Sequence, residues 1–160
     1  MVDLVIWQSV SYVAAALGVC VAAIYYSLTL RSNNRARQAQ LYMGLYDKFS
    51  SSEINKHYLN VTEPKWRKND DLVKEFSPEN PEKYVSLCVM LSYYEGLGVL
   101  VEEGLIDIRL VYPACFEAIK MFWETVAPII EQVRKSLGVS SFGSKTEYLY
   151  NRIVEYGKRH

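Results

Sequence analysis

Apolar and polar positions are unevenly distributed along this chain. From Leu4 to Leu30 there are 27 consecutive residues without a charge, and at 1.5 Å per residue about 20 of them cross a ~30 Å hydrocarbon core. That stretch predicts a transmembrane helix. Beyond it, apolar residues recur at intervals of three and four, and no run alternates long enough to argue a strand. Ala36, Ala39, Leu41, Leu45 and Phe49 fall on a recurring face, so the membrane helix is predicted to continue past the span. Ser50-Ser51-Ser52-Glu53 stops it, and its serines are N-cap candidates for a helix from about Glu53 to Thr62. Pro64 forces a break before a further short helix ending near Phe76.

Ser77-Pro78-Glu79-Asn80-Pro81 launches the strongest soluble helix, Glu82 to Glu103, whose apolar residues nearly encircle it. A helix apolar all round is either the centre of a bundle or a second span. Glu95, Ser86, Ser92, Gly96 and Gly98 weaken insertion of residues 84–101, which favours the bundle. Gly104 is placed as the C′ residue and Asp107 as the next N-cap. The following helix is expected from Ile108 to Leu137, with Pro113 in its first turn or dividing off a lead-in helix, and Pro128 a kink site. Cys115, Ile119, Phe122, Val126, Ile130, Val133 and Leu137 form one stripe, predicted to be buried throughout. After a loop at 138–144, Leu149, Ile153 and Tyr156 give a last helix its inward face. The predicted fold is all-α. One N-terminal transmembrane helix (1–30) continues as a cytoplasmic extension (31–50) into a small helical bundle (51–160), with a central antiparallel helix hairpin.

Composition sharpens the membrane assignment. The first 30 residues carry one charge, Asp3. Trp7 near one end of the span and Tyr25 and Tyr26 near the other stand roughly 27 to 29 Å apart, which suits interfacial rings. Arg31, Arg35 and Arg37 follow the span, so the N-terminus is expected outside and the remaining 130 residues in the cytoplasm of a single-pass protein of the cell membrane. The same arginines suit anionic lipid head groups. No Lys or Arg precedes the run, which argues against a cleaved signal peptide, and bulky Val19 before Cys20 argues against a lipoprotein. In a reducing cytoplasm the Asn60-Val61-Thr62 sequon is a chance tripeptide, and Cys88 and Cys115 are expected to be unpaired and buried. Ala14, Gly18 and Ala22 recur every four residues, a smooth strip suited to helix association within the bilayer.

Eighteen basic and eighteen acidic residues cancel, so no overall positive field gathers nucleic acid, which is not expected as a partner. Only His57 and His160 are present, with no HExxH or ExxH spacing, and no phosphate loop occurs. Gly96-Leu97-Gly98 lies within an apolar helix and reads as close helix packing. No cofactor, metal or catalytic constellation is expected. Glu95, the one acid in that helix, is predicted to be held by a tyrosine hydroxyl, the Trp123 indole or an arginine, or else to contact a partner or ligand. Tyr93, Tyr94, Tyr112, Tyr148 and Tyr150 are candidates for a pocket or interface, or for ordinary core edging.

Three stretches carry a resemblance: Arg35 to Ser51, Tyr93 to Asp107, and Phe122-Trp123-Glu124. They resemble an uncharacterised family of bacterial and archaeal single-pass membrane proteins, domain of unknown function 4760. The resemblance implies a membrane-proximal α-helical domain without assigned chemistry, and no catalytic residue is carried over from it. The expected role is therefore a non-enzymatic, membrane-anchored interaction protein, either an accessory subunit of a membrane complex or an oligomeric scaffold, with a protein partner or further copies of itself. The alternative is a membrane-anchored ligand-sensing or regulatory domain working near Glu95.

Overall fold

The computed structural model describes the backbone of residues 2–63 and 72–159, and the side chains of 6–63 and 74–159. Its elements are α1 (Val2–Phe49), α2 (Ser52–Thr62), α3 (Leu72–Glu75), α4 (Pro81–Glu102), α5 (Ile108–Leu137) and α6 (Ser144–Arg159). No strand occurs among the described residues. Most of the predicted helix between Pro64 and Phe76 lies outside them. The chain divides into two units, Met1–Gln40 and Leu41–His160. The first part of α1 makes up the former, and its last turns join the latter.

The helix ends follow local chemistry. Ser51 caps α2, its hydroxyl accepting from the Ile54 N–H at 3.3 Å. At the end of α4, Gly104 turns left-handed at φ 66°, the Leu105 N–H reaches the Leu100 carbonyl at 2.9 Å and the Gly104 N–H that of Val101 at 3.1 Å. This double closure satisfies two carbonyls that would otherwise lack partners. Asp107 starts α5 by accepting from the Arg109 N–H at 2.9 Å. Pro113 and Pro128 both lie inside α5, so no lead-in helix is divided off.

In the second unit, α6 packs along both α4 and α5, and α2 lies against the same two helices. The α4–α5 hairpin therefore meets mainly through side chains, with the Tyr94 and Phe122 rings 4.7 Å apart at the centre. Around them Met90, Ile119, Val126, Ile130, Leu149 and Ile153 are buried. Leu41, Leu45 and Phe49, the inward face of α1's last turns, pack on this core. Ala36 and Ala39 do not share that face and are exposed. The α5 stripe is buried from Cys115 to Ile130 and packed on the core at Val133, but Leu137 is 69% exposed and no described residue covers its side chain. Cys88 is also exposed, contrary to expectation, since it lies on the outer face of α4.

Candidate functional site

Two places concentrate the residues singled out by the sequence. The first is the apolar part of α1, a helix long and apolar enough to cross a membrane, as a signal sequence would also be. Its large side chains from Ile6 to Leu28 are exposed. The Ser11, Ser27 and Thr29 hydroxyls each donate to the carbonyl one turn back, of Trp7, Ala23 and Tyr25, at 2.9 Å. A hydroxyl bonded within its own helix needs no water, which removes most of its cost in hydrocarbon. Trp7, Tyr25 and Tyr26 are exposed near the two ends of the uncharged run, and Arg31, Arg35 and Arg37 are exposed beyond it. Ala14, Gly18 and Ala22 lie exposed on one face, with open space where a Gly18 Cβ would stand.

The second place is the crossing of α4 and α6. Glu95 is held there, but by none of the predicted donors. Its Oε1 accepts from the Thr146 backbone N–H at 2.7 Å and from the Thr146 hydroxyl at 2.9 Å. The Gly143 carbonyl accepts the first bond of α6, from the Glu147 N–H, so Gly143 stands at the N-cap with no side chain to cap the helix. Glu95 supplies that missing acceptor from another helix, with its negative charge beside the positive end of the α6 dipole. One turn on, a Cβ at Gly98 would stand 2.2 Å from the Lys145 carbonyl oxygen. A further turn on, Glu102 takes the Lys145 ammonium at 2.6 Å. Glu95, Gly98 and Glu102 thus form one strip that receives the first turn of α6. Gly96, by contrast, faces open space.

A smaller polar cluster ties α2 to α4. The buried Ser86 hydroxyl donates to the Glu82 carbonyl at 2.8 Å and accepts from the Asn60 amide at 3.2 Å. His57 Nδ1 lies 3.0 Å from the same oxygen, and because the only hydroxyl hydrogen is already engaged, Nδ1 carries a proton and donates. Asn60, the sequon asparagine, is thereby committed to a helix contact.

The tyrosines do not converge on one pocket. Tyr93 stacks on Phe49, donates to the Leu45 carbonyl at 2.9 Å and meets Tyr94 edge-on. Tyr112 packs on Phe116 and Tyr156, and Tyr150 on Trp123. Tyr42, Leu45, Tyr46, Tyr93, Leu97, Val111 and Cys115 line a crevice with about 10 Å³ of free interior, room for about one water. Burial pushes the Cys115 thiol up to about 11, so it is not a thiolate at neutral pH. The Tyr94 hydroxyl, raised well above its ordinary value by burial, finds no hydrogen-bond partner among the described residues. Nor do three His, Cys, Asp or Glu side chains gather among those residues in a way that would hold a metal.

Over residues 12–153 the sequence matches the family described as Domain of unknown function (DUF4760). No curated protein and no solved structure matches the chain.

Proposed function

Because the chain belongs to the DUF4760 family, whose function is unknown, we propose its role from its own architecture. It is a single-pass membrane protein, N-terminus outside, whose cytoplasmic helical bundle works by contact, as an accessory subunit or oligomeric scaffold, without chemistry of its own. One observation carries this reading. The α1 surface from Ile6 to Leu28 is apolar and exposed, while its Ser11, Ser27 and Thr29 hydroxyls are turned back onto the helix. Such a surface suits lipid, and the arginines that follow it favour the cytoplasmic side for the bundle. In the bundle, the polar groups that would be used first for chemistry hold helices together: Glu95 caps α6, and His57 and Ser86 bind α2 to α4. A ligand-sensing role at Glu95 is the weaker reading, since that carboxylate already has its donors.

The test has two parts. In intact cells an impermeant thiol reagent should label a cysteine placed at Asp3 of a chain lacking Cys20, and should miss native Cys88 until the membrane is opened. The reverse labelling overturns the orientation. Purification in mild detergent should then recover a stoichiometric protein partner or an oligomer, and a bare monomer in every detergent argues against the scaffold role.

A further inference from the structure

Five aromatic rings form a continuous series through the bundle. Tyr58 of α2 meets Phe49, the last residue of α1, edge-on at 6.5 Å between centroids, and Phe49 stacks on Tyr93 of α4 at 5.9 Å. Tyr93 meets its neighbour Tyr94 edge-on at 5.6 Å, and Tyr94 lies 4.7 Å from Phe122 of α5. All four separations fall in the range where ring pairs attract beyond their buried area. The series runs from the end of α1 to the centre of the hairpin, where Tyr94 and Phe122 are fully buried.

These rings bridge junctions that backbone packing leaves loose. α2 and α6 lie close along the hairpin helices, whereas the backbones of α1 and α4, and those of α4 and α5, stay apart along nearly their whole lengths. Beside the series, packing between α1 and the hairpin is incomplete, since the crevice between Leu45, Tyr46, Leu97, Val111 and Cys115 keeps about 10 Å³ free. Contacts across a void are lost, so fewer side chains join the helices there. Tyr93 fixes the joint from α4, its hydroxyl donating to the Leu45 carbonyl at 2.9 Å, one turn before Phe49. An aromatic ring turns about only two side-chain torsions and does not bend. A displaced ring therefore moves its neighbour, where a flexible aliphatic chain would absorb the shift.

We propose that the five rings are a coupling device, through which the seating of α1's last turns sets the packing at the centre of the α4–α5 hairpin. A shift of Phe49 displaces Tyr93, Tyr93 carries the adjacent Tyr94 with it, and Tyr94 bears on Phe122. Tyr58 brings α2 into the same series, three residues of chain after Phe49 having already started that helix. Coupling of this kind is reciprocal. Whatever holds the end of α1 biases the hairpin, and whatever grips the hairpin biases α1. The coupling stands on contacts within the bundle alone. In the contact role proposed above, it makes the end of α1 and the bundle parts of one response, in place of two independent binding faces.

The experiment is denaturant unfolding of the full chain in detergent, with Phe49→Leu and Phe122→Leu made singly and together. Among the described residues these two rings share no direct contact and are joined through Tyr93 and Tyr94. Independent sites multiply their effects on the unfolding constant to within about twofold. Here the double variant should fall short of that product by at least about fivefold, because losing either end slackens the same series. Tyr93→Leu should abolish the shortfall, and Tyr93→Phe, which keeps the ring, should preserve it. Phe49→Leu combined with Ile153→Val, on a helix that contributes no ring to the series, should multiply to within about twofold. Should Phe122→Leu fail to fold, Tyr94→Leu takes its place at that end. Simple multiplication by Phe49→Leu and Phe122→Leu overturns the proposal. So does a shortfall that survives Tyr93→Leu or appears equally with Ile153→Val, since either marks general loosening of the core. The readout lies within the bundle, so any of these failures leaves the anchoring proposed above untouched.

Discussion

Glu95 on α4 and Thr146 on α6, 51 residues apart in sequence, share two hydrogen bonds through one carboxylate oxygen, at 2.7 Å and 2.9 Å. A side chain from one helix thus caps another, at an end where the local sequence offers only glycine. Glu95→Ala leaves the N–H and hydroxyl of a fully buried threonine without an acceptor, and should cost about 1–3 kcal/mol. Thr146→Val keeps the backbone bond and should cost less. Denaturant unfolding of the full chain in detergent measures both, and a silent Glu95→Ala would refute the cap.

The two glycines of Gly96-Leu97-Gly98 should behave oppositely. At Gly98 an added methyl meets a backbone oxygen at 2.2 Å, which no side-chain rotation can relieve, so Gly98→Ala should destabilise by about 1–3 kcal/mol. At Gly96 nothing lies within 4 Å, and alanine should stabilise the helix by up to about 1 kcal/mol. Melting temperatures that shift the same way for both variants would contradict the α4–α6 crossing.

Tyr94→Phe removes a buried hydroxyl that has no partner among the described residues while keeping the ring against Phe122. The substitution should be neutral or stabilising. A loss above about 1 kcal/mol would mean that the hydroxyl is satisfied in solution.

Acid should weaken the start of α5. The Arg109 side chain beside Asp107, bonded at 2.6 Å and 2.9 Å, holds its carboxyl below the usual range. A carboxyl depressed on folding contributes stability that is full above its unfolded value, about 3.9, and is lost as pH falls through the folded value. Asp107→Asn preserves a capping side chain but removes the charge. Because the pair is largely solvent-exposed, the cost should be at most about 1 kcal/mol at pH 7, fading toward pH 3. A difference that widens on acidification would reverse the assignment.

If α1 crosses a membrane, as proposed, Gly18→Ile places branched bulk at the centre of the Ala14–Gly18–Ala22 strip while keeping it apolar. If the strip mediates association, detergent-resistant oligomer should fall with Gly18→Ile and with Ala14→Ile. An unchanged mass for both variants would leave the strip facing lipid alone.

Helix boundaries were legible in the sequence because each is written in a few adjacent residues: the serines before α2, Pro81, Gly104 and Asp107. The partner of Glu95 was not, since Thr146 joins it only through the packing of α6 on α4. The sequence signal that could have found the cap is Gly143, a helix start without a capping side chain, which implies an acceptor from elsewhere. Leu137 fits the α5 stripe by spacing, but periodicity does not tell where neighbouring helices end. The all-round apolarity of α4 likewise concealed that one side packs and the other does not.

The hydroxyls of Ser11, Ser27 and Thr29 are satisfied within α1 itself. If α1 crosses a membrane, as proposed, these three hydroxyls ask for no matching donor or acceptor from neighbouring helices, and contour weighs more in the choice of companions. The helix is therefore a transferable part. Grafted ahead of an unrelated soluble domain, it would carry the satisfaction of these hydroxyls with it.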